Sequence, residues 1–324
     1  MEKSRHNNVP ALYYFMDIRD GIYGLAVGDA YGVPFEFLSP KTIHISENNM
    51  MVGYGSHKQP AGTWSDDTSL TLCLLDNLDK KIDYEKIMCS FAKWYKEGIY
   101  SSNGKCFDVG RGTEQAILNY LHGIKPIKCG SRAKSNNGNG SLMRVLPLAY
   151  YFFDYGKEID RSIVSNISSM THGNSVAIMA CNIYVEFGYR ILAGEDVYEA
   201  YRNTIKNNEY YWYMRKVYEI EDLEKIANIQ YDNLSGSGYV IDTLQSVLWV
   251  LLNTESYEEC ILKAVMIGGD TDTIAAVAGG IAGMIYGKET IPVNWMNSLK
   301  NKELIENICS RWIERYSQSP YNRR

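Results

Sequence analysis

The sequence predicts an all-α fold in one domain, on three grounds. Apolar residues recur at the 3.6-residue spacing of amphipathic helices along most of the chain. Alternating β-branched runs closed by tight turns, which indicate strands, are scarce. No low-complexity linker and no repeat of solenoid length interrupts the 324 residues, so residues 1–324 are expected to form a single domain. Hydrophobic residues make up 45% of the chain, enough for a large core.

Eight segments show the helical periodicity most clearly. In one of them Leu70, Leu74, Leu75 and Leu78 fall on one stripe. A further apolar helix is expected after Arg144. The polar, Tyr-rich stretch 206–233 is the candidate for a peripheral insertion, and the residues from about 317 are predicted to be a loose tail. The predicted helices, in chain order, are 22–31, 70–78, 84–95, 113–121, 176–192, 240–252, 257–267 and 274–286.

Composition argues against several kinds of protein. The seven cysteines are odd in number and form no CxxC pair, which favours reduced thiols in a cytoplasmic protein over a disulfide framework or a zinc–thiolate site. The polar N-terminus MEKSRHNNVP has no apolar signal core, and no apolar stretch approaches the roughly 18 residues of a membrane helix. The net charge of −5 argues weakly against an extended nucleic-acid surface but leaves room for a small basic pocket.

Glycines at helical spacing form two stripes, one at positions 21, 24, 28 and 32 and one at positions 279, 280, 283 and 287. A glycine inside a helix costs roughly 0.5–1 kcal/mol relative to alanine, so something must offset this cost. Close approach of two helices in the core explains most of these residues. A crowded site beside the glycines is the additional interpretation.

Two acidic clusters stand directly before predicted helices. The first acidic cluster is SDDT at 65–68, and the second is GGDTDT at 268–273. The simpler interpretation of either one alone is helix capping, because Asp, Ser and Thr are favoured caps and acids in the first turn complement the helix dipole. Capping needs only one side chain, however, whereas each cluster brings together carboxylates that repel each other unless a cation lies between them.

The oxygen atoms of the two clusters suit a hard cation. Mg²⁺ prefers and Mn²⁺ accepts ligands of this kind, and two such ions about 3.5–4 Å apart can share carboxylates and activate a water. A calcium-binding loop does not fit, because the chain becomes apolar after Asp272 without a third acidic ligand. The candidate metal ligands are Ser65, Asp66, Asp67, Asp270, Asp272 and Thr273.

Two Gly-rich segments are candidates for ligand binding. The loop NNGNGSLMR at 136–144 precedes an apolar helix, and backbone N–H groups in such a loop can cradle a phosphate. Its spacing fits neither a P-loop nor a GxGxxG motif, so a plain surface loop stays open as the alternative. In the segment SGSGY at 235–239, Tyr239 could stack on a base, or the segment could be a simple turn.

Three further residues have both a functional and a structural interpretation. Glu36 lies between two phenylalanines, where burial would raise its pKa and suit it to general acid–base catalysis, although an exposed loop glutamate is the simpler alternative. His172 has no second histidine nearby to complete a metal pair. Asp108 precedes a predicted helix and would serve as a cap.

Taken together, these motifs resemble those of the ADP-ribosylglycohydrolase family, which includes the dinitrogenase-reductase-activating glycohydrolases. The resemblance spans roughly residues 18–295. Its most specific element is the pairing of SDDT near one end with GGDTDT near the other. The matching segments are GLAVGDAYGVPFEF at 24–37, GTWSDDTSLTL at 62–72, CFDVGRGTEQAI at 106–117, NGNGSLMRVLPLA at 137–149, THGN at 171–174 and IGGDTDTIAAVAGGIAGMIYG at 267–287.

The resemblance implies a compact orthogonal bundle of helices that holds two Mg²⁺ or Mn²⁺ ions on the six candidate ligands. Ser65 stands where many members carry threonine, and either hydroxyl can ligate. The loop formed by Gly138, Asn139, Gly140 and Ser141 should hold the diphosphate of ADP-ribose, with His172 near the distal ribose. From the segment 235–239, Tyr239 is the further candidate for substrate binding. The implied catalytic residues are Glu36 at the scissile bond, Asp67, and Asp108, which matches an acid of the arginine-specific branch.

The expected activity is metal-dependent hydrolysis of the glycosidic bond between ADP-ribose and a modified target, through an oxocarbenium-like state. The target would be an ADP-ribosylated protein or a small adduct. Asp108 favours an arginine linkage over serine, another side chain or a base. Two alternatives stay open: a non-catalytic ADP-ribose-binding member of the same fold, and a metal-dependent phosphohydrolase, which would release phosphate instead of ADP-ribose.

Overall fold

The computed structural model describes residues 17–206, 208–218 and 223–317, and these ranges consist of helices and loops without a β-strand. The α-helices of this part of the chain are α1 (Ile18–Gly32), α2 (Asp66–Asn77), α3 (Tyr84–Glu97), α4 (Arg111–Leu121), α5 (Leu146–Asp154), α6 (Arg161–Ser169), α7 (Ser175–Leu192), α8 (Val197–Lys206), α9 (Glu209–Tyr218), α10 (Val240–Leu252), α11 (Tyr257–Met266), α12 (Thr271–Tyr286), α13 (Val293–Ser298) and α14 (Lys302–Ser317). The predicted all-α fold is confirmed.

All eight helices predicted from periodicity are present, and the apolar helix expected after Arg144 is α5. Helix α2 begins at Asp66 rather than at position 70, because Ser65 caps it. The sequence did not indicate α6, α8, α9, α13 or α14. Polar residues dominate α14, yet Ile305, Ile308 and Trp312 are buried on its inner face, and the helix contacts α1 and α2.

Two other expectations concern the edges of the fold. The described parts of the region 206–233 form α9 and 3₁₀ turns, and their buried residues Tyr211, Leu223 and Ile226 belong to elements that contact α7 and α10. The predicted tail beyond position 317 lies outside the described residues.

Within the described ranges no helix has both the length and the apolar character needed to span a bilayer. All seven cysteines are free thiols.

The most extensive helix–helix contact in the described chain joins α1 to α12. A Cβ atom on Gly24 would lie 2.3 Å from the carbonyl oxygen of Gly279, and one on Gly28 would lie 2.1 Å from that of Ala275. The glycine stripes therefore allow two backbones to approach closely, as predicted. Gly287 differs from the rest of its stripe, because it ends α12 with a φ of 81°. The contact also positions the candidate site, since α12 begins within the second acidic cluster.

We expect Gly28→Ala to lower the free energy of unfolding by about 1–3 kcal/mol, because the new methyl group would overlap the backbone of Ala275 and force the two helices apart. Gly110→Ala is the matched control, since nothing lies within 4 Å of a Cβ built at Gly110. Urea unfolding of both variants checks the prediction. Equal stability of the two variants would contradict the close-packing explanation.

Asp154 at the end of α5 makes stability depend on pH. The indole Nε1 of Trp312 donates to its Oδ2 over 2.8 Å. Burial raises the pKa of Asp154 from 3.8 to about 7, against the lowering effect of that hydrogen bond. Between about pH 4 and pH 7 the native state therefore binds more protons than the unfolded state, and stability falls as pH rises through this window.

Replacing Asp154 with Asn removes this titration while an amide oxygen still accepts from Trp312. We expect Asp154→Asn to be more stable than the wild type by about 1–3 kcal/mol at pH 8, with the difference vanishing near pH 4. Urea unfolding at the two pH values measures the difference directly. A difference that stays constant with pH would show that Asp154 does not titrate in this window.

Candidate active site

The two acidic clusters meet at the N-termini of α2 and α12. The hydroxyl of Thr273 donates to Oδ2 of Asp67 over 3.3 Å, which joins residues 206 positions apart. The Ser65 hydroxyl accepts from the backbone N–H of Asp67 and caps α2, whereas the N-cap residue of α12, Asp270, makes no capping hydrogen bond with its side chain. Oδ1 of Asp272 accepts from the N–H of Thr273 over 3.0 Å in the first turn of α12. Capping thus leaves Asp66, Asp67 and Asp270 without a structural role of this kind.

Three aspartates of the two clusters are packed into the protein at high electrostatic cost. Asp66, Asp67 and Asp272 are each at most 5% exposed. Burial, together with the neighbouring carboxylates, raises the pKa of all three well above the ordinary value. Among the described residues, Oδ1 of Asp67 and Oδ2 of Asp272 are buried and have no hydrogen-bond partner.

A divalent cation would relieve both problems. It would supply a positive charge between the carboxylates and a partner for the two unpaired oxygens, each of which otherwise loses its hydration without compensation. The donor set contains only carboxylate and hydroxyl oxygens, which hard cations such as Mg²⁺ prefer. The residues present therefore fit a divalent metal site.

Asp29, on the inner face of α1, fixes the first acidic cluster, and the sequence analysis gave it no role. It is fully buried. Its carboxylate accepts from the backbone N–H of Ser65 over 2.9 Å, and from the backbone N–H and hydroxyl of Thr68 over 3.0 and 2.5 Å. The sequence feature that could have indicated this role is a charged residue inside the apolar helix predicted at 22–31.

Two loops hold the second acidic cluster in place through backbone hydrogen bonds. The backbone N–H of Asp270 donates to the carbonyl of Gly236 over 2.7 Å, and the N–H of Gly269 donates to the carbonyl of Leu38 over 2.8 Å. The N–H of Phe37 in turn donates to the carbonyl of Gly269 over 2.6 Å. The segment 235–239 is therefore more than a turn, because it holds the start of α12 in place.

The Gly-rich loop is tied to the second acidic cluster through Asn139. The Asn139 side chain donates to Oδ2 of Asp270 over 2.8 Å, and its backbone N–H donates to the carbonyl of Gly238 over 3.1 Å. The Ser141 hydroxyl instead points into the core, where Ser168 and Cys181 donate to it. The Ser141 side chain is therefore not available to a ligand in front of the loop.

His172 lies beneath this loop as a neutral imidazole. Its ring is 6% exposed, and Nδ1 pairs with the hydroxyl of Thr171 over 2.8 Å. Burial, with a contribution from the Arg144 charge, lowers the pKa of His172 to about 3. A Cβ on Gly112 or Gly140 would lie 3.0 or 2.8 Å from the ring, so these glycines leave the imidazole accessible at the loop.

Glu36 is buried, with 5% exposure, and its carboxylate forms a hydrogen bond with Nε2 of His57. Burial raises the pKa of Glu36 to about 8, against the lowering effect of that bond. The buried position of Glu36 excludes the exposed-loop alternative, but a pair of flanking phenylalanines does not cause the burial, since Phe37 is 72% exposed. Oδ2 of Asp108 lies 3.7 Å from the same histidine nitrogen. No sequence motif marked His57.

Nine of the fourteen predicted site residues line one cleft of about 180 Å³. The lining does not include Ser65, Asp67, Asp272, Ser141 or the 41% exposed Tyr239. The structure thus brings acids of both clusters and the Gly-rich loop to one cleft. The wall includes Glu36, Asp66, Asp108, Asp270, Thr273, Gly138, Asn139, Gly140 and His172.

Known proteins similar to this chain belong to one family. A sequence model of the ADP-ribosylglycohydrolase family matches residues 14–322. An ADP-ribosylarginine hydrolase of Pseudomonas putida is 31% identical over 305 residues, which cover 93% of this chain and 78% of the relative. An ADP-ribosyl-[dinitrogen reductase] glycohydrolase of Rhodospirillum rubrum is 28% identical over 285 residues, or 86% of this chain and 88% of the relative. A solved ADP-ribosylglycohydrolase-related protein complex superposes with a TM-score of 0.74 at 29% identity, covering 94% of this chain and 98% of the other.

Proposed function

Because the chain belongs to the ADP-ribosylglycohydrolase family, we propose that it hydrolyses the N-glycosidic bond that links ADP-ribose to an arginine side chain of a modified protein and releases ADP-ribose. The observation that carries the proposal is the meeting of both acidic clusters, Glu36 and the Gly-rich loop around one cleft. The relative from Pseudomonas putida, an ADP-ribosylarginine hydrolase, supports the arginine linkage.

The six candidate ligands from the two acidic clusters would hold two Mg²⁺ or Mn²⁺ ions. When bound, such ions would stabilise charge on the ribose oxygens and supply a water of lowered pKa. The protein's own contribution is to hold the carboxylates in place before any ligand arrives. Asp29 fixes the first cluster through Ser65 and Thr68, and the loops around Gly236 and Leu38 fix the second.

Glu36 is the candidate general acid–base of the reaction. A carboxylate oxygen of Glu36 lies within 4.8 Å of oxygens of both Asp270 and Asp272, so Glu36 faces the second acidic cluster at the cleft. Burial raises the pKa of Glu36, which suits the carboxyl to give a proton to the leaving nitrogen or to orient the attacking water.

The charge distribution of the cleft suits an arginine-linked substrate. Glu36, Asp66 and Asp108 present carboxylates on one wall, which attract a cationic guanidinium and stabilise the positive charge of an oxocarbenium-like transition state. The Gly-rich loop lines the same cleft and is anchored to Asp270 through Asn139, so a diphosphate on the backbone N–H groups of this loop would lie next to the second acidic cluster.

The test is release of free ADP-ribose from an arginine-ADP-ribosylated protein, with Mg²⁺ and with EDTA. We expect release with Mg²⁺ and none with EDTA. Serine-linked ADP-ribose and O-acetyl-ADP-ribose serve as alternative substrates in the same assay.

Each alternative has its own outcome. Release from the serine or O-acetyl substrate but not from arginine would contradict the proposed linkage while keeping the reaction. Binding of ADP-ribose without release from any substrate would indicate a binding protein. Release of inorganic phosphate from nucleotide substrates would instead indicate a phosphohydrolase.

A further inference from the structure

The loop 53–59 is fastened to the backbone that carries Glu36. The hydroxyl of Ser56 donates to the backbone carbonyl of Glu36. The backbone N–H of Ser56 donates to the carbonyl of Pro34 over 3.1 Å. A Cβ on Gly55 would lie 1.8 Å from that Pro34 oxygen, so only glycine allows the approach. The position of His57, the next residue, is thereby fixed relative to Glu36.

The imidazole of His57 has little freedom of its own. Its ring centroid lies 5.9 Å from that of Phe37 and 5.6 Å from that of Phe107, and its side chain is 16% exposed. In this orientation Nε2 meets the Glu36 carboxylate and lies 3.7 Å from Oδ2 of Asp108. Residues from three loops thus surround the His57 ring and hold its Nε2 against the Glu36 carboxylate.

Glu36 lies between two sets of partners. Its carboxylate oxygens are within 4.8 Å of ligand atoms of His57 and Asp108, and also of Asp270 and Asp272. Without the bond to His57, the Glu36 carboxylate could turn to the second acidic cluster and join it as an additional cation ligand. A carboxylate bound in that way could not deliver a proton to a leaving group.

We propose that His57 is a positioning residue, which holds the Glu36 carboxyl at the cleft and keeps it from turning fully onto the second acidic cluster, whose ligand atoms lie within 4.8 Å. The inference rests on the proposed function, since it assigns His57 to the acid–base group of that reaction. It predicts effects on turnover and on metal affinity that follow from the movement of Glu36.

The first test is kinetic. We expect His57→Ala to lower kcat for ADP-ribose release by about 10–100-fold. KM and the affinity for free ADP-ribose should be unchanged, because His57 forms no part of the Gly-rich loop. His57→Gln should restore much of the loss, since its Nε2 can reach the position of the imidazole Nε2, whereas His57→Asn cannot. Equal losses in the Gln and Asn variants would contradict the proposed contact.

A double-mutant cycle separates positioning from a general structural effect. In a Glu36→Gln background, His57→Ala should have less than about twofold further effect, because the residue it positions no longer acts. A full and independent loss in that background would overturn the proposal. His122→Ala, at an exposed histidine far along the chain, is the control and should match the wild type in turnover and melting temperature.

A second readout does not depend on turnover. If Glu36 is released towards the second acidic cluster, His57→Ala should bind Mg²⁺ about 10-fold more tightly than the wild type, measured by titration calorimetry. The double variant His57→Ala/Glu36→Gln should show no such gain. Unchanged Mg²⁺ affinity in His57→Ala would contradict the proposal even if the enzyme proved to act on another linkage, so the failure of this inference and that of the proposed function are distinguishable.

Discussion

Replacing Asp272 with Asn is expected to abolish metal-dependent release of ADP-ribose, with a loss of about 10³-fold or more in kcat. Such a loss corresponds to about 4 kcal/mol of transition-state stabilisation, which is the scale of a catalytic metal's contribution. Asp272 is 1% exposed, and its Oδ2 has no hydrogen-bond partner among the described residues. An amide at this position is a poorer cation ligand and removes one negative charge from the site.

The same substitution should have the opposite effect on the metal-free protein. Burial raises the pKa of Asp272, and the charges of nearby carboxylates raise it further; these belong to Glu36, Asp108, Asp270 and Asp67. The ionised form of Asp272 therefore opposes folding. In EDTA we therefore expect Asp272→Asn to melt at a higher temperature than the wild type. With Mg²⁺ at about 100 times its dissociation constant the wild type should gain about 2.7 kcal/mol, and the variant should gain nothing.

Thermal unfolding with and without Mg²⁺ measures both effects in one experiment. Asp232→Asn is the matched control, since Asp232 is exposed and lies away from the cleft lining. A variant at position 272 that kept its turnover, or that kept the Mg²⁺-induced shift in melting temperature, would refute the assignment of this residue as a metal ligand.

Asp29→Asn is expected to destabilise the protein by about 2–4 kcal/mol and to weaken Mg²⁺ binding by about 10–100-fold. Every group that contacts the Asp29 carboxylate is a donor from Ser65 or Thr68. An asparagine would present an NH₂ group to some of these donors, which would leave buried N–H groups unpaired. The first acidic cluster would then lose the contact that fixes it to α1.

The control for this effect is Asp160→Asn at the exposed start of α6. The Asp160 carboxylate caps the helix by accepting from the N–H of Ser162 over 2.8 Å, and asparagine caps a helix about as well as aspartate. Urea unfolding and calorimetric Mg²⁺ titration should therefore match the wild type for Asp160→Asn. Wild-type stability and Mg²⁺ affinity in Asp29→Asn would show that its carboxylate does not hold the site.

Much of the fold could be predicted from periodicity because the central helices are apolar enough to show it. Helix α10 was predicted to the residue, and α7 to within one residue of its start. Helix α14 was missed because its buried stripe of Ile305, Ile308 and Trp312 is diluted by charged residues on the exposed face. Glycine stripes indicated a close helix contact, although they did not identify α1 and α12 as partners.

Some residues of the candidate site could likewise be predicted from the sequence, and others could not. Carboxylates clustered within a few residues are visible in a sequence, and both acidic clusters were found on that ground. His57 and Asp29 act on residues that the fold brings to them, and Asp29 lies 36 positions from Ser65. No local pattern reports such a contact. The role of the segment 235–239 was missed for the same reason, because its partner Asp270 belongs to another loop.

The pairing of α1 with α12 also has a consequence for synthesis of the protein. Helix α12 begins at Thr271, so a ribosome that adds about 5–20 residues per second needs about 10–50 s after α1 before its partner exists. During that time the face of α1 that bears Gly24 and Gly28 lacks the helix that covers it in the native protein. The first helix therefore completes its packing only late in synthesis. Hydrolytic activity should appear only when synthesis is almost finished, because neither acidic cluster alone makes a complete site.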